Sequence, residues 1–267
     1  MFIKKIIYTI VICNFFLLDV LARDFIIIQS TTSTHNSGLL DTIESAFENK
    51  FNIDLRFVSV GTGQAIVNGK NGDGDILMVH STEDEIQFVK DGYGLERFEI
   101  MYNDFVIIGP KHDPFNLRNT ENVIEVMHKL KSGKASFLSR DDNSGTHKKE
   151  LLLWEVAGIE ITKNDKWYLR NGLGMGTTLN MASEMDAHTI SDRGTWLSFN
   201  NKNFLDILFQ GDQLLYNPYG AIPINPNKFS HVEYKKSMIF INWLLSNEGQ
   251  TIINGYKLHD QQLFYTD

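Results

Sequence analysis

Apolar and polar positions alternate along this chain in blocks whose period switches repeatedly between strand and helix. Phe25-Ile26-Ile27-Ile28 within Asp24–Gln29 is a continuous apolar run, the pattern of a strand covered on both faces. Over Ser37–Asn49 the spacing of Leu39, Leu40, Ile43 and Phe47 forms one helical stripe. Ile53–Val60 alternates like a strand, Gly61 to Gln64 opens a short helix, and strand Asp75–His80 precedes helix Thr82–Lys90. Phe98–Gly109 is a long extended run stopped by Pro110. Beyond it the pattern predicts a helix near Asn119–Lys131, strand Ala135–Ser139, and helix Asn143–Ala157 with Gly158 in the stop position. Helix Met175–Asp186, strand Ala187–Ser191 and a short helix from Arg193 follow. A second extended run, Leu214–Asn225, carries Pro218 and Pro223 and is closed by Pro226; a last helix shows Met238, Ile239, Trp243 and Leu244 on its apolar side.

Strand–helix alternation of this kind predicts an α/β architecture of mostly parallel sheets flanked by helices. The roughly 245 residues after Ala22 are many for one such sheet and suit two lobes of about 100–150 residues with a cleft between them. The two proline-bounded extended runs are the natural crossings. The expected division is residues 23–109 plus 215–267 for lobe 1 and residues 110–214 for lobe 2. No internal repeat is visible.

Residues 1–22 read differently. Lys4 and Lys5 precede an apolar run from Ile6 to Leu18, and Val20-Leu21-Ala22 fits a small-residue cleavage site, so the expectation is a cleaved signal peptide and a periplasmic protein. The run is shorter than the roughly 20 residues of a comfortable membrane span; retention as an anchor is the alternative. Cys13 is the sole cysteine and lies inside this segment, which leaves the mature chain without disulfide or thiolate chemistry.

With 25 Lys and Arg against 33 Asp and Glu, the formal net charge is −8. Nucleic acid and anionic membrane surfaces select basic faces and are therefore disfavoured as principal partners. An anion, if bound, has to be held by local geometry rather than by a global positive field.

Four segments carry candidate chemistry, and each follows a strand. Ser30-Thr31-Thr32-Ser33-Thr34 presents five consecutive hydroxyls where N-capping would use one, which points to an anion role. Gly61-Thr62-Gly63-Gln64 lets the backbone approach a ligand, or simply makes a tight turn. Ser139-Arg140-Asp141-Asp142-Asn143-Ser144-Gly145-Thr146-His147 offers the planar donor fork of Arg140 together with Ser139, Ser144 and Thr146; a surface pair of Arg140 with Asp141 or Asp142 is the plain alternative. Asp192-Arg193-Gly194-Thr195 supplies Arg193, either as a donor or as a salt-bridge partner. Doubly wound folds bind ligands at the carboxyl ends of their strands, the position all four segments occupy.

These segments, with Val60-Gly61-Thr62-Gly63-Gln64-Ala65, Met101-Tyr102-Asn103-Asp104-Phe105, Ser144-Gly145-Thr146-His147-Lys148-Lys149-Glu150 and Asn217-Pro218-Tyr219-Gly220, resemble the TupA-type tungstate-binding proteins over essentially the whole mature chain. The resemblance implies the two-lobed periplasmic-binding-protein fold of type II, a ligand that is an oxyanion such as tungstate, delivery to the permease of an ABC uptake system, no catalytic activity and no cofactor. The family's Thr-Thr-Thr-Ser motif and the arginine before Ser-Gly-Thr-His are associated with the oxyanion, which implies such a role for Ser30, Thr31, Thr32, Ser33 and Arg140. Two departures stand out: Ser30 replaces a usual Thr, and Asp141-Asp142-Asn143 replaces a more usual Gly-Asp-Asp.

The set of candidate oxyanion-binding residues is thus Ser30, Thr31, Thr32, Ser33, Thr62, Gly63, Ser139, Arg140, Ser144, Thr146 and Arg193, with no metal ligand and no catalytic residue, in a protein expected to act as a monomer. Molybdate or phosphate are the alternative ligands, and phosphate would need a carboxylate such as Asp141 or Asp142 to accept its proton. A remote enzyme reading makes Ser144 a nucleophile beside His147 with Asp142 as orienter. No pair of the eight His has metal-ligand spacing. Met175, Met181 and Met185 at helical spacing, and Trp154, Trp167, Trp196 and Trp243, are expected to fill the core. Glu83-Asp84-Glu85 is expected to open a helix, where acidic residues suit the dipole.

Overall fold

The computed structural model describes residues 23–266, so the signal-peptide expectation for residues 1–22 lies outside the described residues. The chain opens with β1 (Asp24–Thr31), a five-residue α1 (Thr32–Asn36) and α2 (Leu39–Phe51), whose buried side chains are the four of the expected stripe. Next come β2 (Ile53–Val60), α3 (Thr62–Asn71), β3 (Ile76–Val79), α4 (Thr82–Lys90) and the long β4 (Phe98–Pro110). Asn122 accepts a hydrogen bond from the Glu125 amide at 2.9 Å and caps α5 (Val123–Ser132), which starts four residues later than periodicity suggests. β5 (Phe137–Ser139), α6 (Gly145–Val156), β6 (Tyr168–Arg170), α7 (Met175–Met185), β7 (Thr189–Asp192), α8 (Arg193–Ser198) and β8 (Leu205–Phe209) follow. Gly158, at φ +67°, ends the α6 region in the left-handed conformation its position called for. β9 (Tyr216–Pro223), α9 (Tyr234–Leu244), α10 (Asn247–Gly255) and the hairpin of β10 (Lys257–Leu258) and β11 (Gln261–Gln262) complete the chain.

The α/β layering is as expected; the mostly parallel sheet is not. The main sheet has seven strands in the order β2-β1-β3-β9-β4-β7, with β8 also pairing β4. Only β1–β2 and β1–β3 run parallel within it, while β9 lies antiparallel to β3 and β4, and β4 antiparallel to β7 and β8. A separate pair, β5–β6, is parallel. The difference lies in β4 and β9, which run antiparallel to each other and to every other strand they pair with, so that only the β2-β1-β3 part of the sheet is parallel. β4 belongs to two ladders: Phe98–Asp104 faces β9, whereas Phe105–Pro110 faces β7 and β8.

Three apolar clusters hold these elements. Ile26 and Ile28 of β1 pack with Phe47 of α2 and with Phe240 and Trp243 of α9. Phe105 and Ile107 of β4 pack with Leu130, Phe137, Trp154 and Trp167. Leu77, Val79, Phe88 and Ile222 form the third. All four tryptophans are buried, as expected, whereas Met185 is 45% exposed and outside the core. Among the described residues, no helix is long and apolar enough to cross a membrane.

Candidate functional site

A cavity of about 780 Å³ lies at the carboxyl tips of β1, β2 and β5, which supply Thr31, Val60 and Arg140 to its wall or rim. Besides the short α1, which begins at Thr32, three longer helices start there. α3 begins at Thr62 after Gly61, α6 at Gly145 after Ser144, and α7 at Met175 after Gly174, and all six of these residues line the cavity. None of the three has an acidic residue in its first turn, whereas α2, α4, α5 and α10 do. Free N–H groups and the positive dipole ends therefore meet at one place, with no carboxylate inside the three first turns; Asp142, just ahead of α6, accepts from the Ser144 amide at 3.2 Å.

Of the candidate residues, Thr31, Thr32, Ser33, Thr62, Arg140, Ser144 and Thr146 line this cavity. The hydroxyls are wired to each other: Thr31 Oγ1 lies 3.0 Å from Ser33 Oγ and 2.7 Å from Thr34 Oγ1. Ser144 caps α6 by accepting from the His147 amide at 3.3 Å. Arg140 donates from Nε to the Leu173 carbonyl at 3.3 Å, from Nη1 to Thr146 Oγ1 at 3.5 Å, and from Nη2 to Asp142. Asp141 and Asn143, at φ +46° and +58°, turn this loop through left-handed backbone that Asp and Asn tolerate. Burial pushes the Asp142 carboxyl up, but Ser144 and Arg140 outweigh it and hold the group below the usual carboxylate range.

Four candidates are placed elsewhere, each for a visible reason. Arg193 is turned away and donates from Nε and Nη2 to Asp104 and from Nη2 to Gln210 at 2.7 Å, beside a different cavity lined by Tyr102, Tyr216 and Tyr265. The salt-bridge alternative for Arg193 is the one realised. Ser139 is fully buried and donates to Glu150 Oε2 at 2.7 Å. Ser30 is fully buried, with a hydroxyl that has no hydrogen-bond partner among the described residues. Gly63 sits one residue inside α3 and faces Asn143, whose Nδ2 would be 3.5 Å from an added Cβ.

The sequence pattern missed several residues of the wall. His80, read only as the end of a strand, lines the cavity from the tip of β3, with Nε2 3.1 Å from Ser33 Oγ and Nδ1 3.0 Å from Asn217 Oδ1. Its ring stacks on Tyr219 at 4.8 Å, and burial lowers its pKa from the ordinary value despite the nearby Asp192 and the Asn217 hydrogen bond. Thr177, Asn180, Thr195, Ser198 and Asn200 add neutral donors farther along the wall. The one available signal was a polar residue, His80, ending the otherwise apolar run Ile76–Val79.

Ser144 and His147 do not form a nucleophile–base pair. The Ser144 hydroxyl serves the backbone, while His147 Nδ1 accepts from the Asn143 amide at 3.2 Å. Among the described residues, no group of three or more His, Cys, Asp or Glu is placed to hold a metal ion.

The chain is similar to known proteins in sequence and in fold. The profile of the PBP superfamily domain matches residues 22–248. The tungstate-binding protein TupA of Peptoclostridium acidaminophilum is 44% identical over 237 residues, covering 88% of this chain and 82% of that protein. Among solved structures, the tungstate-binding protein TupA from Desulfovibrio alaskensis G20 superposes with a TM-score of 0.82 at 41% identity, covering 91% of this chain and 98% of that one. The tungstate ABC transporter protein from Geobacter sulfurreducens gives a TM-score of 0.80 at 44% identity, covering 88% and 100%.

Proposed function

Because this chain belongs to the PBP superfamily and, within it, to the family of the tungstate-binding TupA proteins, we propose that it captures tungstate outside the cytoplasm and delivers it to an ABC permease. The observation that carries this reading is the chemistry of the cavity wall. Its ionisable residues are Arg140 and His80, its other polar residues are hydroxyls and amides, and no Asp or Glu lines it. Tungstate and molybdate have no proton at neutral pH, so a site made of donors suits them. A singly protonated phosphate needs an acceptor, and the carboxylates just behind the wall are already engaged, Asp142 by Arg140 and the Ser144 amide and Asp192 by the amide and hydroxyl of Thr195.

The donors are sufficient in energy. Seven charge-assisted hydrogen bonds of roughly 1.5–3 kcal/mol give about 10–20 kcal/mol gross, against about −12 kcal/mol for nanomolar binding, with ordering and desolvation taking up the surplus. In this reading the chain has two lobes, of type II, joined where β4 and β9 run side by side. The anion favours their closed arrangement by touching Thr31–Ser33 and Thr62 from one lobe and Arg140 and Ser144–Thr146 from the other. Closure is what a permease would sense. The protein acts as a monomer, without a cofactor, and performs no reaction.

A thermal-shift and calorimetric panel of tungstate, molybdate, sulfate and phosphate on residues 23–267 tests this reading. Tungstate is expected to raise the Tm at micromolar concentration, with phosphate and sulfate inert at millimolar concentration. Stabilisation by phosphate alone would overturn it.

A further inference from the structure

His80 lines the cavity and is hydrogen-bonded to one of its hydroxyls, that of Ser33, and the hydrogen bonds around the ring decide which of its nitrogens carries a proton. Asn217 Nδ2 donates to Asn103 Oδ1 at 2.6 Å, which leaves Asn217 Oδ1 facing the ring at 3.0 Å. Nδ1 is therefore the donor. In the neutral imidazole that burial favours, Nε2 is then an acceptor, and the Ser33 hydroxyl 3.1 Å away is its donor.

A hydroxyl has one hydrogen. While Ser33 gives it to Nε2, Ser33 offers the cavity only lone pairs, which repel a proton-free dianion. If Nε2 is protonated instead, it donates to Ser33 Oγ and the Ser33 hydrogen is released from the ring to point at the anion, with Thr31 Oγ1, 3.0 Å away, as the competing acceptor. We propose that His80 takes up one proton from solvent when the anion binds, so that capture of the anion is coupled to protonation of this imidazole. This rests on the oxyanion reading above and adds to it a pH dependence and a positioning residue.

The surroundings fit a group balanced between two states. Asp192, at the end of β7, favours the imidazolium, while Arg140 at the rim and Lys149 of α6 oppose it. The ring lies between Tyr219 and Phe105, with centroids at 4.8 and 6.4 Å, and Gly145 of α6 packs so closely that an added Cβ would be 3.0 Å from His80 Cε1. A dianion beside Ser33 adds two negative charges to this list and tips it. The bond formed is N–H at Nε2, and the proton is lost by the buffer acid.

Calorimetric titration with micromolar tungstate at pH 7.5 and 8.5, in buffers of different ionisation enthalpy, reads the proton directly. The expected result is close to one proton taken up per anion, and a Kd that rises roughly three- to tenfold over that pH unit. His80→Gln, whose amide N–H still serves Ser33 at every pH, is expected to bind with a flat pH profile and no buffer dependence. Wild-type binding with a buffer-independent enthalpy and a flat profile would overturn the proposal, since a paired turn of the Asn217 and Asn103 amides would then have re-aimed the ring without a proton. Proton uptake that persists in His80→Gln would overturn it as well. Failure of the wild type to bind tungstate would overturn the oxyanion reading and this one together. If His80→Gln does not fold, the wild-type proton count decides alone.

Discussion

Arg193 and Asp104, 89 residues apart in sequence, are joined by two parallel hydrogen bonds, Nε to Oδ1 at 2.6 Å and Nη2 to Oδ2 at 2.5 Å. Both side chains are mostly buried, at 18% and 26% exposure, so the pair fastens α8 to β4 rather than facing the anion. Arg193→Gln is therefore expected to lower stability by about 1–2 kcal/mol in urea unfolding while leaving tungstate affinity within about twofold. A large loss of affinity at unchanged stability would return Arg193 to the site.

Arg140 is the contrasting case. It supplies the permanent positive charge on the cavity wall and is steadied there by Asp142, Leu173 and Thr146. Arg140→Glu places a carboxylate against a dianion and is expected to abolish binding, and Arg140→Lys, which keeps the charge but loses the fork, to weaken it about 10- to 100-fold. Calorimetry on both variants checks this, and an unchanged affinity in Arg140→Glu would remove the residue from the site.

Gly145 opens α6 where three parts of the wall meet. A Cβ there would lie 3.0 Å from His80 Cε1 and 3.3 Å from Thr62 Oγ1. Gly145→Ala forces these groups apart and is expected to weaken anion binding about tenfold, with a Tm within a few degrees of wild type. A Tm measured alongside the titration separates the two effects.

Glu150 gives a stability prediction with a definite sign. Burial raises its carboxyl from 4.5 to about 7, against the hydrogen bonds from Tyr168, Ser139 and Trp154. Between those pH values the folded chain holds a proton that the unfolded chain has lost, so this group's contribution is fully present below about 4.5 and fades as pH rises to about 7. Glu150→Gln, neutral throughout and able to donate to Ser139, is expected to match wild type near pH 4.5 and to exceed it by on the order of 3 kcal/mol at pH 8. Urea unfolding at pH 5, 6.5 and 8 tests this, and a difference independent of pH would show that Glu150 stays ionised in the fold.

Lys148 of α6 pairs with Asp84 of α4 on the surface. Lys148→Ala is expected to speed anion release up to about fivefold with little change in the association rate, the range an exposed ion pair supports. Stopped-flow displacement reads both rates.

Local pattern made much of this fold legible. β2 and α4 have the bounds that alternation and helical spacing assign to Ile53–Val60 and Thr82–Lys90, because their signals are complete within their own segments. The wall formed by Thr31–Ser33, Thr62, Arg140 and Ser144–Thr146 was legible because hydroxyl and glycine runs at strand-to-helix junctions have few structural uses. For Arg193 both the donor and the salt-bridge roles were legible but not the choice between them, because its partner lies 89 residues away and a short-range reading cannot weigh a distant carboxylate against a ligand. His80 was hidden for the same reason: its partners Ser33 and Asn217 are 47 and 137 residues away. The antiparallel course of β9 depends on its pairing with β3 and β4, a choice made by the sheet and not by residues 216–223.

β4 carries a mechanical consequence. Its thirteen residues are ladder-bonded along one half to β9 and along the other to β7 and β8. Such a rod cannot swivel at one peptide link, and its ends can turn relative to each other only by a few degrees of winding at each residue. The β9 ladder shifts register between Glu99 and Met101, and Tyr102 is held from its other side by two backbone hydrogen bonds with Tyr265, at 2.8 and 2.9 Å. In the two-lobed arrangement proposed above, this rod is a torsion bar where a loop would have made a loose joint, and opening of the cavity works against its springiness.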